Sequence, residues 1–175
     1  KRVNQLDLPK TKLIDMKKED EIISKDLYAS IQTNIENKNQ TLLFVNKRGY
    51  APFVICKKCG FTKNCKSCNT SLVLHNFKTK KNMFLLCHHC GYRENFLNIC
   101  PSCESKDSFD FPGIGVEKIF EIISNYFPKA KISILSSDTI KNTEKFKKTI
   151  SKIISNKIDI IIGTQLISKG HNFPY

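Results

Sequence analysis

Residues 55–103 read ICKKCGFTKNCKSCNTSLVLHNFKTKKNMFLLCHHCGYRENFLNICPSC and contain all eight cysteines of this 175-residue chain. The cysteines form four pairs, each with two residues between its members: Cys56/Cys59, Cys65/Cys68, Cys87/Cys90 and Cys100/Cys103. A C-x2-C turn directs two sulfur atoms toward one point, so each pair supplies half of a tetrahedral site. The four pairs therefore predict two bound zinc ions.

Three pairings of these turns are possible. The two inner pairs give C-x2-C-x18-C-x2-C, within the spacing of about 15 to 20 residues that is typical of zinc ribbons. SLVLHNF and NMFLLCHHC flank the polar turn KTKK, and a hairpin there would bring the inner pairs together and the outer pairs to its base. A cross-braced pairing stays open, whereas adjacent pairing leaves little chain to wrap an ion. The favoured nested pairing places Cys65, Cys68, Cys87 and Cys90 on one ion and Cys56, Cys59, Cys100 and Cys103 on the other.

The cysteine usage also indicates the compartment and the role of the metal. Eight cysteines without a signal peptide favour the reducing cytoplasm, where such pairs hold metal more often than disulfides. Iron–sulfur proteins commonly gather their cysteines in uneven spacing, which disfavours a cluster. Eight thiolates fill two four-coordinate sites, so we expect His88 and His89 to be exposed or to lie beside the ligands. Sites closed in this way are structural and supply folding energy.

The flanking segments alternate between amphipathic helices and apolar strands, which predicts an α/β fold with a parallel sheet. Ser24 can cap a helix that runs to about Asn37. TLLFV is expected as a buried strand. The remaining expected elements are a helix over 116–127, a strand over 131–135, a helix near 143–155 and a strand over 158–164.

The cysteine block thus interrupts the α/β pattern after its first strand. Glycines and prolines near Gly49 and Pro112 suggest the boundaries, giving an inserted zinc-binding domain over 49–111 between α/β segments 1–48 and 112–175. No apolar run approaches the ~18 residues of a membrane span, so no membrane partner is expected. The chain begins with Lys1 and ends at Tyr175 within an apparent motif, and we therefore expect a piece of a longer protein.

Four segments together resemble the PriA family of primosomal helicases, over nearly the whole chain from about Ser24. They are LLFVNKRGYAPFVICKKCGF, CHHCGYRENFLNICPSC, GIGVEKI and IIIGTQLISKGHNFP. The resemblance implies an ATP-dependent 3′–5′ DNA helicase of superfamily 2 that acts at stalled or abandoned forks and reloads the replication machinery. It further implies that the block lies in the second RecA-like lobe, and that the two zinc sites follow the nested pairing.

GTQLISKGHNFP looks like helicase motif V, which couples nucleotide state to the DNA strand. The matching residues are Gly163, Thr164, Gln165, Lys169, Gly170 and His171. The sequence has no G-x4-G-K-[ST] loop for a triphosphate and no acidic strand end for magnesium. ATP and Mg²⁺ are therefore expected to serve the full-length parent, and this fragment alone is predicted to be inactive.

The formal net charge of +13 favours an anionic partner, and two four-thiolate zinc sites would lower it only to about +9. Cations and rings in the insertion suit single-stranded DNA, although such lysines are usually solvated and such aromatics usually fill a core. By resemblance, the partners are forked and single-stranded DNA, primosome proteins and single-stranded-DNA-binding protein. A freestanding zinc module that mediates only protein contacts is the alternative, which the motif V match and the interrupted α/β order disfavour. The candidate DNA-binding residues are Arg48, Tyr50, Lys57, Lys58, Lys78, Lys80, Lys81 and Arg93, with Phe77, Phe84 and Tyr92 among them.

Overall fold

The computed structural model describes residues 10–75, 82–136 and 143–165. Within these residues, a short 3-10 turn at Met16–Lys18 is followed by three helices and eight strands. In chain order they are α1 (Lys25–Glu36), β1 (Thr41–Phe44), β2 (Ile55–Cys56), β3 (Val73–His75), β4 (Phe84–Leu86), β5 (Arg93–Asn95), β6 (Phe109–Asp110), α2 (Val116–Tyr126), β7 (Ile132–Leu135), α3 (Thr143–Ile154) and β8 (Ile160–Gly163). Within the described residues, none of the helices is long and apolar enough to cross a membrane.

The three flanking strands form a parallel sheet in the order β1-β8-β7. Ile160 of β8 lies opposite Thr41 on one side and Ile132 on the other. All four residues of β8 are buried, as expected for a central strand covered on both faces. The prediction of a parallel sheet with helices is therefore confirmed.

Helices α1 and α2 cover one face of this sheet, where Ile31 and Ile123 pack in the same core as Ile160 and Ile162. On the other face, Ile153 of α3 packs with residues of β7 and β8. Helix α1 begins where the sequence indicated, because the Ser24 hydroxyl oxygen accepts a hydrogen bond from the Leu27 N–H at 3.2 Å. Both helices before β7 thus lie on the same side of the sheet.

The expectation that TLLFV is a buried strand is wrong for two of its residues. Leu42 is 46% exposed and Phe44 is 54% exposed, while Leu43 packs into the core under α1 and α2. Strand β1 is at the edge of the described sheet, and α3 packs against β7 and β8 instead. A continuous apolar run therefore does not distinguish a strand buried on both faces from one buried on a single face.

The cysteine-containing region builds two small antiparallel sheets of its own. Strands β3, β4 and β5 form one, and β2 pairs with β6 in the other. The β3–β4 pair is the expected hairpin, with Leu74 opposite Leu85, and its turn lies outside the described residues. The core of this region is separate from the cores of the parallel sheet and draws its members from residues 50–111. The exact domain boundaries stay predictions.

The segments that lead into and out of this region lie next to each other. The N–H groups of Val116 and Glu117, in the first turn of α2, donate to the carbonyl oxygens of Lys47 (3.1 Å) and Gly49 (3.0 Å). A side-chain carbon at Gly115 would overlap the carbonyl of Gly49. Two backbones approach this closely only where a side chain is absent. Glycine at position 115 therefore allows the region to pack directly against the start of α2.

Candidate metal centres

All four C-x2-C turns share one backbone geometry. In each, the N–H of the first cysteine donates to the carbonyl of the fifth residue after it, at 2.7–3.0 Å. The N–H of the fourth residue after it donates back to the carbonyl of that first cysteine, at 2.9–3.0 Å. The chain thereby reverses around each pair, and its backbone groups are satisfied internally.

The residue directly after each pair has a left-handed backbone. Gly60 (φ +74°) and Gly91 (φ +79°) occupy this position in two turns, and Asn69 (φ +58°) and Glu104 (φ +55°) occupy it in the others. A side-chain carbon at either glycine would meet nothing within 4 Å. Glycine is therefore favoured at these two positions by backbone conformation and not by crowding.

The turns meet two by two and produce two sulfur tetrads. The outer tetrad contains Cys56, Cys59, Cys100 and Cys103, and the inner tetrad contains Cys65, Cys68, Cys87 and Cys90. Within each tetrad, all sulfur atoms lie within 4.8 Å of one another. The structure therefore brings together the sets that the nested pairing named.

The sulfur separations fit one metal ion in each tetrad. Cys56 Sγ lies 3.7 Å from Cys103 Sγ in the outer tetrad, and Cys65 Sγ lies 3.4 Å from Cys90 Sγ in the inner one. A tetrahedron with metal–sulfur bonds of about 2.3 Å has sulfur–sulfur edges of about 3.8 Å, whereas a disulfide requires about 2.0 Å. The cysteines are free thiols, so the donor sets suit a tetrahedral, thiophilic ion. That this ion is zinc stays a prediction.

Burial differs systematically between the two members of each pair. The first cysteine of every pair is buried, and the second is more accessible. Four of the nine buried residues in the core of this region are these first cysteines. These candidate metal ligands are thus also core residues of the region.

Side-chain hydroxyl groups lie against sulfur atoms of both tetrads. Ser108 Oγ is 3.3 Å from Cys56 Sγ, and this hydrogen bond is the largest of several contacts that together lower the pKa of Cys56 to about 6. Thr70 Oγ1 is 3.1 Å from Cys87 Sγ, and it is the largest of several contacts that together lower the pKa of Cys87 to about 5. Hydrogen bonds to a thiolate favour the deprotonated form that binds metal. Sequence reasoning missed both residues; for Thr70, the only local signal was its place two residues after Cys68.

The two histidines of the third turn differ in environment. His88 is half-buried and its Nε2 lies 3.1 Å from Nε2 of His75, while His89 is exposed. His75 is itself buried and its Nδ1 lies 2.8 Å from a carboxylate oxygen of Glu117. This chain of contacts was not anticipated, because its members are far apart in the sequence.

The residues matched to motif V begin at the carboxyl end of β8. Gly163 closes the strand, Thr164 is buried and its N–H donates to Leu135 at 3.2 Å, and Gln165 is exposed. Lys169, Gly170 and His171 lie outside the described residues. The role of this segment stays a prediction.

The candidate DNA-binding residues are distributed between solvent and local contacts. Arg48, Lys57, Lys58 and Arg93 are exposed. Lys57 pairs with Asp110 at 3.7 Å. Lys78, Lys80 and Lys81, together with Phe77, lie outside the described residues.

Three aromatic candidates have contacts within or beside the region. Tyr92 packs on the core and donates to Glu94 at 2.8 Å. The Arg93 guanidinium lies 3.8 Å from the centre of the Phe84 ring. Tyr50 packs on the core beneath the Lys118 ammonium, and its pKa is raised by burial and by Glu121. These three rings are therefore held by contacts within or beside the region, in line with the expectation that such aromatic residues usually fill a core.

Comparison with known proteins gives consistent matches along the whole chain. The replication restart protein PriA of Rickettsia prowazekii is 44% identical over 177 aligned positions, which cover 99% of this chain and 27% of that protein. PriA of Borreliella burgdorferi is 38% identical, covering 98% of this chain and 25% of the relative. PriA of Bacillus subtilis is 33% identical, covering 99% and 22%. No protein-family model matches. The chain spans about a quarter of the length of these relatives.

Proposed function

Because this chain is a segment of the replication restart protein PriA family, we propose that it is part of the motor of an ATP-dependent 3′–5′ DNA helicase. The parent protein would recognise stalled or abandoned forks in the bacterial cytoplasm and start primosome assembly there. Within it, the cysteine-containing region would hold two zinc ions and present a surface to DNA or to partner proteins. The observation that carries this proposal is the pair of sulfur tetrads set between β1 and α2 of a parallel sheet.

The chemistry of the tetrads supports zinc in a structural role. Four thiolates per ion complete a tetrahedral shell and leave no open position for a water or a substrate. Soft sulfur donors select zinc, Cu(I) or iron–sulfur clusters over magnesium and calcium. Cys56, Cys59, Cys100 and Cys103 would hold one zinc ion, and Cys65, Cys68, Cys87 and Cys90 would hold the other. When bound, the ions supply cross-links that fix the turns, and no catalytic step passes through them.

The arrangement of the flanking elements supports a RecA-like lobe. Helices α1 and α2 cover one face of the three parallel strands, and α3 covers β7 and β8 on the other face. Such sheets place functional loops at the carboxyl ends of their strands. Gly163 and Thr164 lie at that end of β8. The rest of the nucleotide site, with its phosphate loop and Mg²⁺ ligand, would come from other parts of the parent. This segment alone would therefore hydrolyse no ATP.

Charge and exposure support a nucleic-acid or acidic partner. The chain carries a formal net charge of +13, and Arg48, Lys57 and Lys58 lie exposed at or near the first cysteine turn. Phosphate contacts by such side chains release counterions, so affinity falls steeply with salt. Primosome proteins and single-stranded-DNA-binding protein are proposed as further partners.

The test separates the two activities in the full-length parent. Replacing Cys65 and Cys68 by Ser removes half of the inner tetrad and should weaken fork unwinding and partner loading. DNA-stimulated ATP hydrolysis should largely persist, because the cores of the parallel sheet contain no cysteine. Ser67→Ala in the same turn is the matched control, since it keeps the N–H that contacts Cys65 Sγ at 3.4 Å. Equal loss of ATPase and unwinding would place the region in the motor core and refute the assignment.

A second measurement tests DNA contact directly. Each phosphate that the protein neutralises on duplex DNA contributes about 0.9 to the log–log salt slope. Lys58→Gln should reduce the slope by about that amount if Lys58 engages phosphate. Lys129→Gln, an exposed lysine after α2, should leave it unchanged. An unchanged slope for Lys58→Gln would remove this residue from the proposed surface.

A further inference from the structure

A buried histidine joins the inner tetrad to a helix of the parallel-sheet unit. His75 ends β3 and is 3% exposed. Its Nδ1 lies 2.8 Å from Glu117 Oε1 in the first turn of α2. Its Nε2 lies 3.1 Å from Nε2 of His88, which stands between Cys87 and Cys90 in the third cysteine turn.

The ring of His75 has a fixed orientation. It stacks on Phe84 of the neighbouring strand, with centroids 5.1 Å apart and planes 6° apart. A side-chain carbon at Gly49 would lie 3.1 Å from Cε1 of this ring and still closer to Val73 and to the Leu74 carbonyl. The imidazole therefore fills the space beside the backbone where the chain enters the region. Both of its nitrogen atoms are left facing specific partners.

The donor and the acceptor can be assigned in both hydrogen bonds of the His75 ring. An ionised carboxylate only accepts hydrogen bonds, so Nδ1–H of His75 donates to Glu117. In the neutral ring, Nε2 is then an acceptor and receives the Nε2–H of His88. Groups that orient a ligand-bearing turn in this way commonly change metal affinity when they are removed.

We propose that Glu117 and His75 are positioning residues that fix the Cys87–Cys90 turn, and the inner metal site with it, relative to helix α2. The outer tetrad has no such link among the described residues; the hydroxyl groups on its sulfurs, from Ser105 and Ser108, belong to the cysteine-containing region itself. The inner site is therefore the one that responds to the position of α2. This inference rests on the proposed metal occupancy of the inner tetrad.

The test compares metal release from the two tetrads in the full chain. The protein is loaded with ¹¹³Cd, and the metal ions in the two tetrads give separate NMR signals. The release of metal from each tetrad to a chelator is then followed separately. Glu117→Ala removes the acceptor at a residue whose side chain is 26% exposed, so folding should survive. His75→Phe keeps an aromatic ring against Phe84 but removes both hydrogen bonds. Each variant should release the inner metal about tenfold faster or more, with the outer metal unchanged.

The controls separate positioning from general destabilisation. His89→Ala changes an exposed histidine in the same turn and should release both metals at the wild-type rate. Glu117→Gln keeps an acceptor oxygen and should lie near the wild type. Equal acceleration of both sites, or no change at either, would overturn the positioning role.

A second readout does not depend on the metal rates. Residual dipolar couplings of β3–β5 and of β7–β8 should fit one alignment tensor in the wild type and two in His75→Phe. One shared tensor in both proteins would overturn the inference. A wild-type inner tetrad that binds no metal would instead overturn the proposed metal role, which distinguishes the two failures.

Discussion

Removing the metal should unfold residues 50–111 and leave the parallel sheet folded. Four of the nine buried residues in the core of this region are cysteines. A structural zinc site contributes about 10–16 kcal/mol, which is as large as the net stability of a typical domain, about 5–15 kcal/mol. Loss of both ions therefore removes more free energy than the remaining apolar contacts of the region can replace. The cores around β8 contain no cysteine and should persist.

Hydrogen exchange measures this difference residue by residue. After treatment with a strong chelator and a reductant, amides in β3, β4 and β5 should exchange at the rate of an unfolded chain. Amides in β7 and β8 should stay protected. The first turn of α2 should lose part of its protection, because Val116 and Glu117 donate to Lys47 and Gly49 at the junction.

Restoring zinc provides the control, since protection in β3–β5 should return with two equivalents. Full protection of β3–β5 in the metal-free chain would refute the reasoning. Equal loss of protection in β7 and β8 would also refute it, because the two units would then share one folding transition.

Four substitutions test the packing and the turn geometry. Leu85→Ala, at a fully buried position, should lower the free energy of unfolding of the metal-loaded chain by about 2–5 kcal/mol in a denaturant titration; a change near zero would contradict its placement. Gly91→Ala should lower the free energy of unfolding by only about 1–2 kcal/mol, because its backbone is left-handed, and the variant should keep two metals. Gly115→Ala should lower the free energy of unfolding by more, because its methyl group overlaps the Gly49 carbonyl. Equal losses for the two variants would contradict the close approach of the backbones at Gly115. Glu104→Gly relieves the same left-handed strain (φ +55°) and should raise the melting temperature, and a lower value would argue against the shared turn geometry.

Local patterns were sufficient for most of the helices and strands. The cap at Ser24 and the period of apolar residues located α1 and α2 to within about two residues of their observed bounds. The equal spacing of the cysteine pairs was enough to indicate two sites. Their pairing remained open, because loop length and one hairpin favour an arrangement without excluding a second.

The misses arose from contacts that the sequence does not encode locally. Leu42 and Phe44 are exposed because β1 is at the edge of the described sheet, which an apolar run does not reveal. Strand β5 was missed because its sequence, Arg-Glu-Asn, is polar and pairs with β4 alone. The contact between His75 and Glu117 spans 42 residues and depends on how the two units meet.

The most direct test of two nested zinc sites is anomalous X-ray scattering at the zinc edge. Crystals of the chain purified without added metal should show two peaks per molecule. One peak should lie about 2.3 Å from the sulfurs of Cys65, Cys68, Cys87 and Cys90, and the other at the same distance from those of Cys56, Cys59, Cys100 and Cys103. A single peak, a signal at the iron edge instead, or an ion shared by the first and third pairs would contradict the account.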